Sequence, residues 1–320
     1  DLVVSQEYVT PAGSFKTLDY PAAATGPKVN DIMKGSEGTF GVLVEVTLKI
    51  FRHMPANRRH FSFMFPTWPA AVDASREIAQ GEFGRPAVYR ISDPEETDRG
   101  LKLYGIPALV DRFLQKRGYQ PMQRCLCLGN VEGDRDYPRL VKRKIRKIAK
   151  QHGAVYLGAY GSKKWEQTRY LEPYMREDLN DYGITIDTLE ASVTWDKLQA
   201  LHQGVRTYMK HRPRTICMTH ASHFYPQGTN LYFIFIGRFE SVDDYRTFQA
   251  GIIDHIHRHG GSLSHHHGIG RMIAPWVETH LGKEQRDGLR AIKTPFDPRH
   301  IMNPGGQLGL DLDPAQRRTP

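Results

Sequence analysis

The sequence predicts an α+β fold on a mainly antiparallel sheet, and three observations predict it. From about residue 56 to 258, alternating strand-like segments give way repeatedly to amphipathic helical ones. Some strands follow each other closely enough to pair as hairpins, as TICMTHASHFYP and NLYFIFIGRF do. The chain has 320 residues, 39% of them hydrophobic and 25% charged, which is enough to bury a core and suggests about two domains.

The elements follow in order. Residues 1–55 open on a strand, a Pro11-Ala12-Gly13 turn and a second strand. The first residues already read as strand, and we expect the start of this domain to lie before them. A glycine-rich stretch, TGPKVNDIMKGSEGTFG, leads into the β-branched strand VLVEVTLKIF. Residues 56–258 form the second region. HFSFMF is a strand, PAAVDASREIAQGEF a helix closed near Gly81, and AVYRIS a strand. CLCLGNV, a basic helix over 137–151 and AVYLGAY repeat the strand–helix–strand order. ITIDTLEASVTW, the helix WDKLQALHQGVRTYMKH and the hairpin-like pair continue it, and a helix over 241–258 stops at Gly260-Gly261. Residues 259–320 hold SLSHHHGIG, one amphipathic helix over 277–294 and the turn-rich DPRHIMNPGG.

Composition narrows the function classes. No segment approaches the roughly 20 continuous apolar residues of a membrane span, and no signal-peptide pattern opens the chain; a cytoplasmic protein is expected. Cys125, Cys127 and Cys217 form no CxxC pair, and Cys125 and Cys127 alternate with leucines as small core residues of a strand do. The formal charge of +9 favours anionic partners. No nucleic-acid-binding motif is present, which leaves a phosphate- or carboxylate-bearing small molecule or an acidic membrane surface. The densest basic run, VKRKIRKIAK, sets Leu140, Val141, Ile145 and Ile148 at helical spacing, so its Lys and Arg residues form a solvated face that a peripheral membrane contact could also use.

Two stretches carry chemistry. In GSEGTFG, residues 35–41, glycines let the backbone approach a ligand and present N–H groups to it; a tight turn alone would have the same composition. In Ser264-His265-His266-His267-Gly268-Ile269-Gly270, three imidazoles could supply an acid, a base or an anion contact; if extended, His265 and His267 face one way and His266 the other. A metal site or a solvated loop would use the same residues.

TGPKVNDIMKGSEGTFGVLVEVTLKI closely resembles the last FAD-contacting segment of the flavin oxidase family that includes vanillyl-alcohol oxidase, D-lactate dehydrogenases and alkylglycerone-phosphate synthase. The resemblance implies a flavin surface lined through the backbone at Glu37, Gly38, Thr39, Phe40, Gly41, Val42 and Leu43, with Phe40 where the family usually has Leu. SLSHHHG-[IV]-G is the pattern of the alkylglycerone-phosphate synthase branch. Arg90 in AVYRISDPEE, Arg176 in PYMREDL and Tyr232 in NLYFIF match active-site residues of that branch, whereas His220 stands near a position where the branch tends to have Arg. DPRHIMNPGG resembles the family's closing segment. The 2-hydroxyacid dehydrogenase branch has a carboxylate where His266 stands and a His where Tyr232 stands; with both replaced, the resemblance implies no metal, although His223 is one imidazole left for it.

The resemblance implies a fold in which the C-terminal remnant of a PCMH-type FAD-binding domain (1–55) and a closing segment (259–320) accompany an α/β cap, or substrate, domain (56–258). It implies FAD as cofactor, a homodimer, and exchange of the acyl chain of acyl-dihydroxyacetone phosphate for a fatty alcohol without net redox. Tyr232 and His266 or His267 would move protons, and Arg90, Arg176 and His265 would hold the phosphate, to which guanidinium matches in a forked geometry. Two other readings stay open: a FAD-linked oxidoreductase of a 2-hydroxyacid or alcohol, and a non-enzymatic subunit that packs on a separate flavin-binding chain.

Overall fold

In the computed structural model, residues 2–306 and Leu310 are described, except for the side chains of Glu172 and Pro173. They divide into two units, one formed by residues 2–52 with 263–306 and Leu310, and one by 53–262.

The first unit begins with β1 (Val3–Thr10) and β2 (Gly13–Lys16), which meet in a hairpin whose last pair is Thr10 and Gly13. Thr10 Oγ1 ties the turn, donating to Gly13 O at 2.7 Å and accepting from Ala12 N at 3.2 Å. A short helix α1 (Val29–Met33) precedes β3 (Val42–Leu48), which pairs antiparallel with β1, so the strand order is β2-β1-β3. Tyr8, Met33 and Phe40 form the buried centre, with Phe15, Ile32, Ile292 and Phe296 packed on it. Val42, Leu43, Val44, Val46 and Leu48 stay exposed along β3.

The second unit is a seven-stranded sheet with helices. In chain order it contains β4 (Arg59–Phe65), α2 (Trp68–Gln80), β5 (Val88–Ser92), α3 (Pro94–Tyr104), α4 (Ala108–Lys116), β6 (Cys125–Val131), α5 (Tyr137–Gln151) and β7 (Val155–Gly158). It continues with α6 (Tyr160–Thr168), α7 (Glu172–Asn180), β8 (Thr185–Thr194), α8 (Leu198–His211), β9 (Ile216–Tyr225), β10 (Gly228–Gly237) and α9 (Val242–Arg258). The strand order is β7-β4-β6-β5-β9-β10-β8, and every pairing is antiparallel. The mainly antiparallel α+β fold is thus present.

Side-chain alternation gives this sheet two different faces. Phe61, Phe63, Phe65, Ile91, Leu231, Phe233 and Phe235 are buried on one face, where Phe248 of α9 sets its ring edge-on to Phe235 at 5.2 Å. The three cysteines belong to this apolar face, and burial pushes the Cys127 and Cys217 thiols to about 12, so neither is a thiolate near neutrality. The register puts Arg90, Ser92, His220, Asn230, Tyr232 and Glu190 on the opposite face. Helix signals behave as their chemistry requires. The Thr67 and Ser241 side chains accept from Ala70 N and Asp244 N at the starts of α2 and α9. Gly260 takes a φ of 75° where α9 ends, and Gly261 N reaches back to Ile256 O. In α5, Val141, Ile145 and Ile148 are buried as the periodicity requires, whereas Leu140 is 41% exposed and leaves the apolar stripe.

The chain then returns to the first unit as α10 (Ala274–Leu281) and α11 (Lys283–Phe296). These two replace the single helix expected over 277–294. The break is Gly282, whose φ of 82° is left-handed and cannot continue an α-helix. No described helix is long and apolar enough to cross a membrane.

Candidate active site

In the first unit, the glycine loop follows α1 and precedes β3. Gly35 and Gly38 have φ values of 73° and 77°, with a turn between Ser36 O and Thr39 N at 2.8 Å. A Cβ at Gly35 would meet nothing within 4 Å, and one at Gly38 only Gly41 O at 4.0 Å, so bare backbone faces open space. Gly41 is glycine for a different reason: a Cβ there would stand 2.8 Å from Val9 O and from Thr10 Cγ2, against the neighbouring strand. Thr39 and Phe40 are 2% exposed, and Phe40 packs at 6.1 Å from the Phe296 ring. Its side chain therefore serves the core, which accounts for an aromatic residue being tolerated in the motif. Val42 and Leu43 lie exposed on β3.

The triple-histidine stretch lies in the same unit and is not extended. It runs through bends, so the strand-like alternation expected of its side chains does not hold. Instead His266 meets both neighbours edge-on, with ring centroids 5.2 Å from His265 and 4.4 Å from His267. His265 Nδ1 and His266 Nδ1 are 3.0 Å apart, a distance that requires one N–H and one lone pair. Such a pair can hold a proton between two rings and pass it on. His265 is half-buried, and His266 and His267 are exposed.

The glycine loop and the histidine stretch meet through Glu37. Its carboxylate accepts from Ile269 N at 2.5 Å and from Gly270 N at 2.8 Å. The closing segment joins at the same residue, where Asn303 Nδ2 donates to Glu37 O at 2.6 Å. Three segments far apart in sequence thus converge on one residue.

In the second unit, Arg90 and Tyr232 are linked by two groups. Arg90 Nη2 donates to Glu96 Oε1 at 2.6 Å, and His220 Nδ1 lies 3.0 Å from the same oxygen. The His220 ring stacks on Tyr232 at 4.8 Å and 17°, and the Tyr232 hydroxyl donates to Thr188 Oγ1 at 3.2 Å. Burial raises the Glu96 pKa, but the Arg90 charge and, in acid where the ring is protonated, the His220 charge and hydrogen bond outweigh it and hold the carboxyl at about 2. Burial, reinforced by Arg90, lowers the His220 pKa against the pull of Glu96, so the imidazole is neutral near pH 7. An ionised carboxylate only accepts, so Nδ1 of that neutral ring carries the proton. Arg90 Nε is buried with no partner among the described residues and retains a donor. Two positions before Tyr232, Asn230 is fully buried, and neither its Oδ1 nor its Nδ2 has a partner among the described residues.

Arg176 lies on a different element from Arg90. It is exposed on α7, which packs on β8. That strand is three positions from β5 in the sheet, roughly 14 Å at the usual strand spacing. Its charge is felt instead at the Tyr245 hydroxyl, which burial and Asp187 push up. Arg90, for its part, already holds a carboxylate. Glu96 did not stand out in the sequence, because a Glu in a first helical turn is commonplace, and Glu37 was expected to act only through its backbone.

Residues 54–306 match the family described as FAD linked oxidases, C-terminal domain. The chain belongs to this family. Over 95% of its length it is 31% identical to alkyldihydroxyacetonephosphate synthase of Dictyostelium discoideum, covering 52% of that protein. It is 30% identical over 94% of its length to the Caenorhabditis elegans protein of the same name, covering 54% of it. The chain thus spans about half the length of the curated relatives it matches. A solved structure of alkyldihydroxyacetonephosphate synthase superposes with a TM-score of 0.73 at 29% identity, over 95% of this chain and 54% of that one. A 4-ethylphenol oxidase from Gulosibacter chungangensis superposes at 0.72 with 13% identity, over 97% of this chain and 66% of that one, which shows the shared fold. As a FAD-linked oxidase C-terminal domain, the chain is of an enzyme type whose cofactor is FAD. Its own residues fit that group. A Cβ added at Gly35 or Gly38 would meet nothing closer than 4.0 Å, so a ligand can approach the backbone there, and the Glu37 carboxylate is turned to amides of its own chain.

Proposed function

We propose that this chain carries the substrate-handling part, and one wall of the flavin site, of a FAD-dependent enzyme. Its reaction would exchange the acyl chain of acyl-dihydroxyacetone phosphate for a fatty alcohol. The observation that carries the reading is the Glu96 junction, where one buried carboxylate fixes the Arg90 guanidinium and, through His220, the ring stacked on Tyr232. A guanidinium with a donor left over suits a phosphate monoester, and a phenol held by a neutral ring suits proton transfer.

The roles divide as follows. Arg90, Arg176 and His265 bind the substrate phosphate. Tyr232 and His266 or His267 hold or move the proton of the entering alcohol and leaving acid. The backbone over Glu37–Leu43 faces the cofactor. FAD, when bound, supplies an electrophilic ring position at which the exchange proceeds without net redox. The relatives named alkyldihydroxyacetonephosphate synthase support this reading.

A second reading is supported by a relative named as an uncharacterized FAD-linked oxidoreductase in Escherichia coli, 27% identical over 95% of this chain. In that case a 2-hydroxyacid or alcohol would be oxidised. One assay separates the two. Labelled fatty alcohol and acyl-dihydroxyacetone phosphate, with no electron acceptor, should give alkyl-ether product. If turnover instead needs an artificial acceptor and a hydroxyacid, with no ether formed, the exchange reading fails.

A further inference from the structure

Glu37 does something that a backbone-lined flavin loop does not require. Its two carboxylate oxygens are divided between consecutive amides of another segment, Oε1 with Ile269 N at 2.5 Å and Oε2 with Gly270 N at 2.8 Å. Those amides directly follow the three histidines and Gly268. Its main chain is held as well, since Asn303 Nδ2 bonds Glu37 O.

The surrounding backbone is shaped to allow this. Glu37 itself takes a φ of 49° and Asn303 one of 42°, conformations that cost a non-glycine residue something. Gly268 has a φ of 83°, and a Cβ placed there would stand 2.5 Å from Glu37 Oε1. Gly268 is therefore required twice, by its own conformation and by the close approach of the carboxylate. Gly306 likewise leaves room for Asn303, whose side-chain oxygen and nitrogen would both lie 2.4 Å from a Cβ there. Within the stretch, Ser264 Oγ accepts from Gly268 N at 3.0 Å, which closes the turn over the three rings.

We propose that Glu37 is the positioning residue of the triple-histidine loop. It acts as an anionic clamp on the two amides after His267, and so sets where His265, His266 and His267 are presented. The inference rests on the reading of these histidines as site residues. It gives the one acidic side chain of the glycine loop a task separate from cofactor contact, and it links cofactor wall to proton-transfer group through a single side chain. A carboxylate receiving two N–H bonds is the stronger kind of backbone anchor, because the acceptor is charged.

The clamp can be tested on the purified chain without flavin or substrate. Amide hydrogen exchange at Ile269 and Gly270 is compared in wild type, Glu37→Ala, Glu37→Gln and Gly268→Ala. Both amides should exchange about tenfold faster in Glu37→Ala. Glu37→Gln, nearly the same shape but with one acceptor oxygen, should release one amide more than the other. Gly268→Ala should reproduce the Glu37→Ala effect, and the double variant should add little to it. The imidazole resonances of His265–His267 should shift in the same variants while those of His202 and His220, in the second unit, stay in place. Amides of β1 and β3 serve as the folding control. If Ile269 and Gly270 exchange unchanged in Glu37→Gln and Glu37→Ala with β1 and β3 still protected, the clamp does not exist. If exchange rises but the imidazole resonances stay fixed, Glu37 is not a positioning residue. Failure of the ether-forming assay would affect neither result, so the two proposals fail separately.

Discussion

Glu96→Ala should destabilise the second unit by about 3–5 kcal/mol, because it removes one partner of a buried ion pair and leaves the other charge behind. Glu96 is 8% exposed and holds both Arg90 and His220, so the substitution strands a guanidinium and an imidazole at once. A urea melt of the chain followed by a probe in the second unit reads the loss. An unchanged midpoint would mean that Arg90 and His220 find other partners. Glu96→Gln should fall between, since it keeps the shape and an acceptor but not the charge. The pH dependence has a defined sign. Glu96 is held at about 2 when folded against an ordinary 4.5, so its contribution is complete above about 4.5 and is lost as pH falls toward 2. His202 and His220 are lowered by burial, so the unfolded chain binds protons more readily and stability declines as pH falls below about 6.5. Acid should therefore weaken the second unit in two stages.

Asp297→Ala should have a comparable effect on the first unit, again about 3–5 kcal/mol. Lys293 and Asp297 are both fully buried, with Lys293 Nζ 3.3 Å from Asp297 Oδ2 and 2.8 Å from Met302 O. Asp297 also accepts from Ile301 N at 3.1 Å and Met302 N at 2.8 Å. Burial raises its pKa, but those two amides and Lys293 outweigh the rise, so it is ionised near neutrality. The pair pins the end of α11 to the segment that delivers Asn303 to Glu37. Asp297→Ala should therefore lower the thermal midpoint and also loosen residues 301–303 in hydrogen exchange. Lys293→Met with Asp297→Leu should cost less than the sum of the two single changes, since no lone charge remains. A double variant as damaging as the sum of both would show that the pair acts through separate contacts.

Much of the fold was legible because it depends on period and punctuation. The strand NLYFIFIGRF alternates buried and half-buried residues, HFSFMF and CLCLGNV are buried almost throughout, and the basic helix over 137–151 is recovered as α5 with the same bounds. Helix α3 was missed although Asp93, Pro94 and Glu96 form a proper start, with Asp93 accepting from Glu96 N at 2.8 Å. The split at Gly282 was missed because apolar spacing passes through it, and only the backbone conformation shows the break.

The candidate site was legible in part, for a physical reason. Glycines and a histidine run are unusual enough to be noticed, whereas the task of a single carboxylate side chain is not. Glu37 and Glu96 gain their roles from partners 232 and 124 residues away in sequence, which no local pattern records. The same distance effect separates Arg90 from Arg176. Both match motif positions, yet Arg90 lies on β5 and Arg176 on α7, which packs on β8, three strands from β5.

A crystal structure of the flavin-loaded protein would reach the central claim most directly. The isoalloxazine ring should rest on the bare backbone of residues 35–41, with imidazoles of His265–His267 on its reacting side and the Glu37 clamp intact. A flavin bound elsewhere, with those histidines turned away from it, would contradict the account.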